Sequence, residues 1–441
     1  MSQRILTRRA IEWFALGAAM LVLAQGFLRF FATGGNLKDG DWRVELILAG
    51  FYVSIVTIAI IHCGPILRAA LSSPGLIALM AVAAASAAWS ALPTVVLRRT
   101  AGLAGATLFG MVLASRLDFR EQLFLFRRVL RIAAACSFAL WVLKVGTGMD
   151  FVTMGTSSNP MADGFDASAL RGIFGHKNGL GAMMALAILV DWHMPVRGTL
   201  AKTIKILWLG CYALLLHLAN SATALLACFA TLGILFAIRK FRHQYGLLLP
   251  VLTIGGLFAG ALFAVFRDDA MRLLGRSSDL TGRSDLWQWV VIMIMKRPWL
   301  GYGYSGFWRG ASDQSDVIEA HVGWSPIYAH NGYLELTLSL GVLGLLVFLY
   351  FIGKGVWRAV IRAKNAATLQ DLWPLAFLIF FLLHNLGECT MLMQNNLEWA
   401  LCIAVVIRSD PRYRLAEDAE TSEAESEPES EVALPPTPEY V

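Results

Sequence analysis

Apolar residues fall in blocks of about twenty along this chain, parted by short polar turns, as far as about position 409. A bilayer core takes roughly 20 apolar residues per helix. The blocks therefore predict about twelve membrane spans, near 11–31, 44–62, 74–91, 100–117, 129–147, 177–193, 204–220, 222–238, 246–266, 331–352, 372–389 and 395–409. The first block follows Arg4, Arg8 and Arg9; it is long and lacks a clean cleavage site, so a retained span is expected rather than a signal peptide. Two longer polar stretches, 148–176 and 267–330, interrupt the pattern. Within the second, Leu286, Trp289, Val290 and Met293 recur at helical spacing between Thr281–Ser284–Asp285 and Lys296–Arg297–Pro298. This predicts an amphipathic helix lying on the membrane surface.

Composition sharpens the picture. The 441 residues are 57% hydrophobic and 15% charged, with a mean hydropathy of +0.60, too little charge to cover a water-soluble surface of this size. The fold expected is all-α and integral to a membrane, over residues 1–409. From Asp410 onward the chain changes character: Glu417, Asp418, Glu420, Glu423, Glu425, Glu427, Glu429 and Glu431 alternate with small residues and lead into a proline-rich end. Residues 410–441 are expected to be a disordered acidic tail.

The net charge of +6 reads as topology and not as nucleic-acid affinity. Lys and Arg concentrate in alternate turns (Arg4/Arg8/Arg9, Arg116/Arg120/Arg127/Arg128, Arg239/Lys240/Arg242, Lys354/Arg358/Arg362/Lys364). The positive-inside rule makes those turns and both termini cytoplasmic, and puts 148–176 and 267–330 outside. Charges in the second outer stretch are mixed, with Arg267, Arg272, Arg276 and Arg309 among acidic neighbours. The six cysteines lie in or beside apolar runs without ligand spacing, so neither a disulfide framework nor a metal site is expected, and no cofactor. Gly301–Tyr302–Gly303 lacks a preceding strand and is no dinucleotide fingerprint.

Four places could carry chemistry. In RGIFGHKNGLG, Arg171, His176, Lys177 and Asn178 gather at a predicted helix start, where backbone amides and the helix dipole favour an anion; the alternative is an interfacial anchor with Lys177 at the headgroups. Arg283 opens the amphipathic helix and either pairs with Asp279 or Asp285 or serves as a planar fork for phosphate. His330 sits at the lip of a span beside Asn331 and one turn from Glu335; neutral imidazole suits it to act as a base. The turn Asn220–Ser221–Ala222–Thr223 offers hydroxyls for capping or for a ligand. Glu388, a carboxylate in an apolar run, is expected to face the interior and pair with an Arg.

Taken in order, WSALPTVVLRR (from Trp89), RGIFGHKNGLG (from Arg171), SATALL (from Ser221), GRSDLWQ (from Gly282), RPWLGYGYSGFW (from Arg297), HNGYLELTLSLGVLG (from His330) and Glu388 resemble the O-antigen ligase and polymerase superfamily, in its ExoQ-type branch. The resemblance implies a metal-independent membrane glycosyltransferase of the GT-C type in the bacterial inner membrane, with a periplasmic site. It implies a donor glycan carried on undecaprenyl pyrophosphate, a growing polysaccharide as acceptor, and chain-length regulator and export proteins as further partners. Arg283 and His330 take the catalytic roles, inverting the anomeric carbon. Arg171, His176, Lys177, Asn178, Ser221, Thr223, Tyr302, Tyr304, Asn331, Glu335 and Glu388 are candidate substrate contacts. Many relatives carry an Arg where this chain has Ala222, so a phosphate contact is lost there or moved, with Arg171 as candidate. HKNGLG and Ala222 favour a polymerase over a ligase acting on lipid A-core. A flippase would show inverted repeats and broken helices at the midplane, and neither is legible.

Overall fold

The computed structural model describes residues 3–32, 41–149, 153, 168–240, 283–308 and 313–413. The expected span near 246–266, Arg267, Arg272, Arg276 and Arg309, most of the stretch 148–176, and the tail past Tyr413 lie outside the described residues. Among the described residues the secondary structure is helical, apart from an isolated bridge between Thr153 and Leu170. In chain order the helices are α1 (Gln3–Leu23), α2 (Leu28–Phe31), α3 (Trp42–Ile61), α4 (Cys63–Leu71), α5 (Pro74–Ala85), α6 (Pro93–Arg116), α7 (Phe119–Thr147), α8 (Lys177–His193), α9 (Thr199–Leu218), α10 (Ala222–Lys240), α11 (Arg283–Lys296), α12 (Asp313–Val322), α13 (Gly332–Lys364), α14 (Trp373–His384) and α15 (Leu397–Arg408).

Among the described residues, six helices (α3, α6, α7, α9, α10 and α13) are long and apolar enough to cross a membrane, or seven if a bent pair counts as one span. Of the twelve blocks, the one near 246–266 lies outside these residues. The bent pair is α4 with α5, meeting at 87°. Pro74 opens α5; it brings no N–H and disfavours helical geometry in the residue before it, so α4 cannot run on. Helices α14 and α15 have 12 residues each, shorter than a bilayer core requires. They are apolar because protein surrounds them. Every residue of α15 from Leu397 to Ile407 is buried, and a helix apolar on all sides is a core helix as readily as a span.

The tightest packing sets α15 against α6. A Cβ on Gly110 would lie 2.4 Å from the Ala400 carbonyl and 2.7 Å from Ile403 Cβ, so the helices touch through backbone. Trp399 Nε1 donates to Thr107 Oγ1 at 2.9 Å within that contact. Helix α3, by contrast, exposes Leu46, Val53, Ile60 and Ile61, a face suited to lipid.

One backbone break positions the site. Gly341, inside α13, has φ 67° and ψ −172°, a conformation essentially reserved for glycine. The loop after α11 fills the break: Tyr302 and Gly303 N–H donate to Leu338 and Ser339 carbonyls at 3.0 and 2.9 Å, while Val342 N–H donates to Pro298 O at 2.8 Å. Interrupted helix groups must find partners when water is excluded, and this loop supplies them. The same docking seats α11 on α13, with Leu286, Val290 and Met293 fully buried beneath Tyr302, Phe307 and Trp308. Arg283 thereby arrives beside His330.

Candidate functional site

The turn 385–388, after α14, gathers the site. Gly332 N–H donates to Asn385 O at 2.8 Å, and a Cβ on Gly332 would fall 2.4 Å from Asn385 Oδ1, so the start of α13 lies directly on this turn. Asn331 caps α13 by accepting from Tyr333 and Leu334 N–H at 3.1 and 3.2 Å, and its amide donates to Leu386 O at 3.1 Å. A Cβ on Gly387 would lie 2.6 Å from Thr223 Oγ1, and one on Gly181 would lie 2.6 Å from Ser221 Cβ. The short Ser221–Thr223 turn is thus wedged between α8 and the hub, with Ser221 buried and its Oγ without a hydrogen-bond partner.

Arg283, the first residue of α11, reaches across to this turn. Nη1 donates to Gly387 O at 2.7 Å, and Nη2 lies 3.2 Å from Glu388 Oε1 and 3.4 Å from His330 Nδ1. Glu388 also accepts from Asn178 Nδ2 at 2.6 Å, which ties the start of α8 to the same carboxylate. The expected Arg partner of Glu388 is therefore Arg283; Asp279, named above as a possible partner of Arg283, lies outside the described residues.

His330 is 5% exposed, has φ 51°, and packs its ring against Tyr328 with centroids 4.3 Å apart. A guanidinium carries donors only, so Nδ1 must be the acceptor in its contact with Arg283. The neutral ring then keeps its proton on Nε2 and presents an N–H. Burial, Arg283 and then His176 hold the His330 pKa well below the ordinary imidazole value. In this structure the Nδ1 lone pair, which the base role expected from the sequence would use, is engaged by Arg283. His176 behaves alike. Its Nδ1 accepts from Asn178 N–H at 3.2 Å as the N-cap of α8. Its pKa is pushed down to about 4 by burial first, then by Lys177, Arg283 and Arg171. Lys177 is 8% exposed. The cations read from two distant motifs converge on one ring, next to the helix starts that already favour an anion.

Other candidates serve the scaffold. Tyr302 OH donates to Met293 O at 2.9 Å, and Tyr304 OH donates to Leu392 O. Glu335 accepts from Ala329 N–H at 2.8 Å and from Trp308 Nε1 at 2.9 Å; it braces the backbone next to His330 and not the ring. Among the described residues no cluster of three or more His, Cys, Asp or Glu is placed to hold a metal.

A cavity of about 110 Å³ opens beside Glu388, with His176, Asn178, Tyr328, His384 and Glu398 in its walls. The sequence reading missed His384 and Glu398. The signal was available, since Glu398 is a carboxylate inside an apolar block and such a group asks for a partner.

Residues 206–349 match the O-antigen ligase family model, a stretch that contains Ser221, Thr223, Arg283, His330 and Glu335. The exopolysaccharide production protein ExoQ of Rhizobium meliloti is 26% identical over 59% of this chain and 59% of its own length. A Rickettsia conorii protein named "Putative polysaccharide ligase" is 26% identical over 39% of this chain and 42% of its own; one from Rickettsia felis is 26% identical over 32% and 37%. The chain spans less than two thirds of the length of each of these relatives. The chain, with its several apolar helices, is thus similar to the O-antigen ligase family over residues 206–349 and to the exopolysaccharide production protein ExoQ over 59% of its length.

Proposed function

We propose that this chain is a membrane polysaccharide polymerase. It joins repeat units carried on a lipid pyrophosphate, undecaprenyl pyrophosphate in the expected case, on the periplasmic face of the bacterial inner membrane. One observation carries this reading. Arg283, from the polar stretch 267–330, lies within hydrogen-bond reach of His330 and Glu388, at a corner where Lys177 and Arg171 act on the same ring. A partly buried set of cations beside helix starts suits a pyrophosphate.

Pyrophosphate leaves readily once its charge is clamped, so the work of catalysis is positioning and electrostatics. Donor binding draws the Arg283 fork from Glu388 to the phosphate oxygens, with Lys177 and Arg171 as further cations. The Nε2–H of neutral His330 then donates to the same anion. The acceptor hydroxyl attacks the anomeric carbon from the opposite side, which predicts inversion. Glu388 and Asn178 hold sugar hydroxyls near that carbon.

A ligase would share these residues and differ in its acceptor. The HKNGLG run and Ala222 favour the polymerase. Deleting the gene decides: loss of one secreted polymer with accumulation of a single lipid-linked repeat supports polymerisation, whereas polymer retained on the carrier lipid points to a ligase. Unchanged glycans and unchanged lipid-linked precursors would remove the enzymatic reading. The proposed face is read separately by labelling single cysteines in a cysteine-free background, with Ser312→Cys reached from outside and Ser422→Cys from the cytoplasm.

A further inference from the structure

Three histidine rings, His176, His330 and His384, lie at or beside the cavity, and the hydrogen bonds around them fix which one still has a free lone pair. His176 and His330 each use Nδ1 as an acceptor, toward Asn178 N–H and Arg283 respectively. Neither neutral ring can then take a proton without first giving up that bond. His384 is arranged the other way round, and a chain of bonds anchored in the backbone shows it.

Thr390 and Met391 N–H both donate to Asn385 Oδ1, at 2.8 and 3.0 Å. That identifies the Asn385 oxygen, so its Nδ2 is the group that donates to Thr390 Oγ1 at 2.7 Å. With its oxygen already accepting, Thr390 turns its own proton to Glu398 Oε2 at 3.2 Å. Oε2 is thus an acceptor. The contact at 3.0 Å between it and His384 Nδ1 is a donation from the ring. His384 then carries its proton on Nδ1 and has a lone pair on Nε2. That nitrogen is buried and has no hydrogen-bond partner. His384 is 2% exposed, Glu398 is 3% exposed, and both line the cavity that holds Glu388. A carboxylate behind Nδ1 fixes the tautomer and stabilises the imidazolium formed when Nε2 takes a proton.

We propose that His384, held by Glu398, is the proton acceptor for the incoming sugar hydroxyl. The assignment rests on the glycan-transfer reading above. In the step, the acceptor oxygen forms a bond to the anomeric carbon as the bond from that carbon to the pyrophosphate oxygen breaks. The bonding electrons leave with the lipid pyrophosphate, and the hydroxyl proton passes to His384 Nε2. The imidazolium rests against Glu398 until the proton is lost to water as product departs. The charged groups acting on this ring are Glu398 on α15, Glu388 on the hub turn, and Arg283 on α11.

The test uses the full-length protein in proteoliposomes with a polyprenyl-pyrophosphate-linked repeat unit, measuring turnover and donor binding separately. His384→Gln and Glu398→Gln should each cut turnover about 100- to 10,000-fold, with donor affinity close to that of the wild type. Glu398→Gln is the sharper variant because it preserves volume and can still accept from Nδ1, yet removes the negative charge that stabilises the imidazolium. Glu398→Asp should recover part of the rate. Unchanged elution and thermal unfolding of the variants separate chemistry from misfolding. Turnover of His384→Gln within tenfold of a wild type that is itself active would overturn the base assignment and leave the transferase reading standing. A wild type inactive on every lipid-pyrophosphate glycan would sink the transferase reading instead. The ring itself is then read by ¹⁵N NMR of histidine-labelled protein, assigned by loss of the signal in His384→Gln. A proton on Nδ1 supports the assignment, and a proton on Nε2 in the wild type overturns it.

Discussion

Arg283 and Glu388 form an ion pair at 3.2 Å across 105 residues of chain, and this contact joins the α11 segment to the turn that follows α14. It is mostly enclosed, with the two side chains 17% and 9% exposed. Removing one partner therefore leaves a charge that water screens poorly. The pair keeps a guanidinium in reach of His330.

The first expectation concerns the shape of that cation. Arg283→Lys keeps the charge but loses the planar fork that reaches Gly387 O, Glu388 and His330 together. Turnover on a lipid-pyrophosphate glycan should fall about 100-fold or more, the scale for removing one preorganised donor. Expression and detergent elution should stay normal. A lysine variant of full activity would show that the fork holds the fold and not the donor.

His330 is expected to work as a neutral donor. Because its pKa is held well below the ordinary value, the ring stays neutral as pH falls through 6.5, so protonation of His330 should not slow the enzyme there. His330→Gln, which keeps an N–H donor, should retain more activity than His330→Ala. Equal loss in both variants, with a rate that tracks an imidazole pKa near 6.5 assigned to His330, would return the base role to it.

Stability should carry the mark of His176. Its pKa is about 4 in the fold against an ordinary 6.5, so below pH 6.5 the unfolded chain binds the proton first. The stability that this ring contributes is complete above pH 6.5 and drains as pH falls toward 4. His176→Asn retains an N-cap side chain but cannot titrate. Its thermal unfolding should therefore lose less between pH 7 and pH 5 than that of the wild type, in the same detergent. Parallel curves for the two proteins would refute this.

Gly341 tests how the site is held. A Cβ there would lie 2.2 Å from the Trp299 backbone, in a left-handed conformation, whereas one on Gly353 in the same helix meets nothing within 4 Å. Gly341→Ala should cost several kcal/mol, from backbone strain and overpacking of about 1–3 kcal/mol each. It should displace the loop that seats α11 and abolish turnover. Gly353→Ala should be neutral, or stabilising by up to about 1 kcal/mol. The comparison is read by thermal unfolding and by turnover.

Several features of this protein are written in the sequence because charge in an apolar run is conspicuous. Arg283, His330, Lys177 and Glu388 stand out for that reason. The helical spacing of Leu286, Val290 and Met293 was also legible, as was the need of Glu388 for an arginine, since an unpaired carboxylate out of water is costly. Apolar blocks gave the positions of the long described helices, though not of α4 or α12, and that much follows from composition and period alone. The number of spans did not follow. Apolarity says that a residue leaves water and not whether lipid or protein receives it, so α14 and α15 read as spans until packing enclosed them. Which arginine answers Glu388, which loop fills the break at Gly341, and which of three histidines has a free lone pair were decided only in three dimensions. Each depends on the direction of a hydrogen bond between residues far apart in the chain, and no local pattern of side chains encodes that direction.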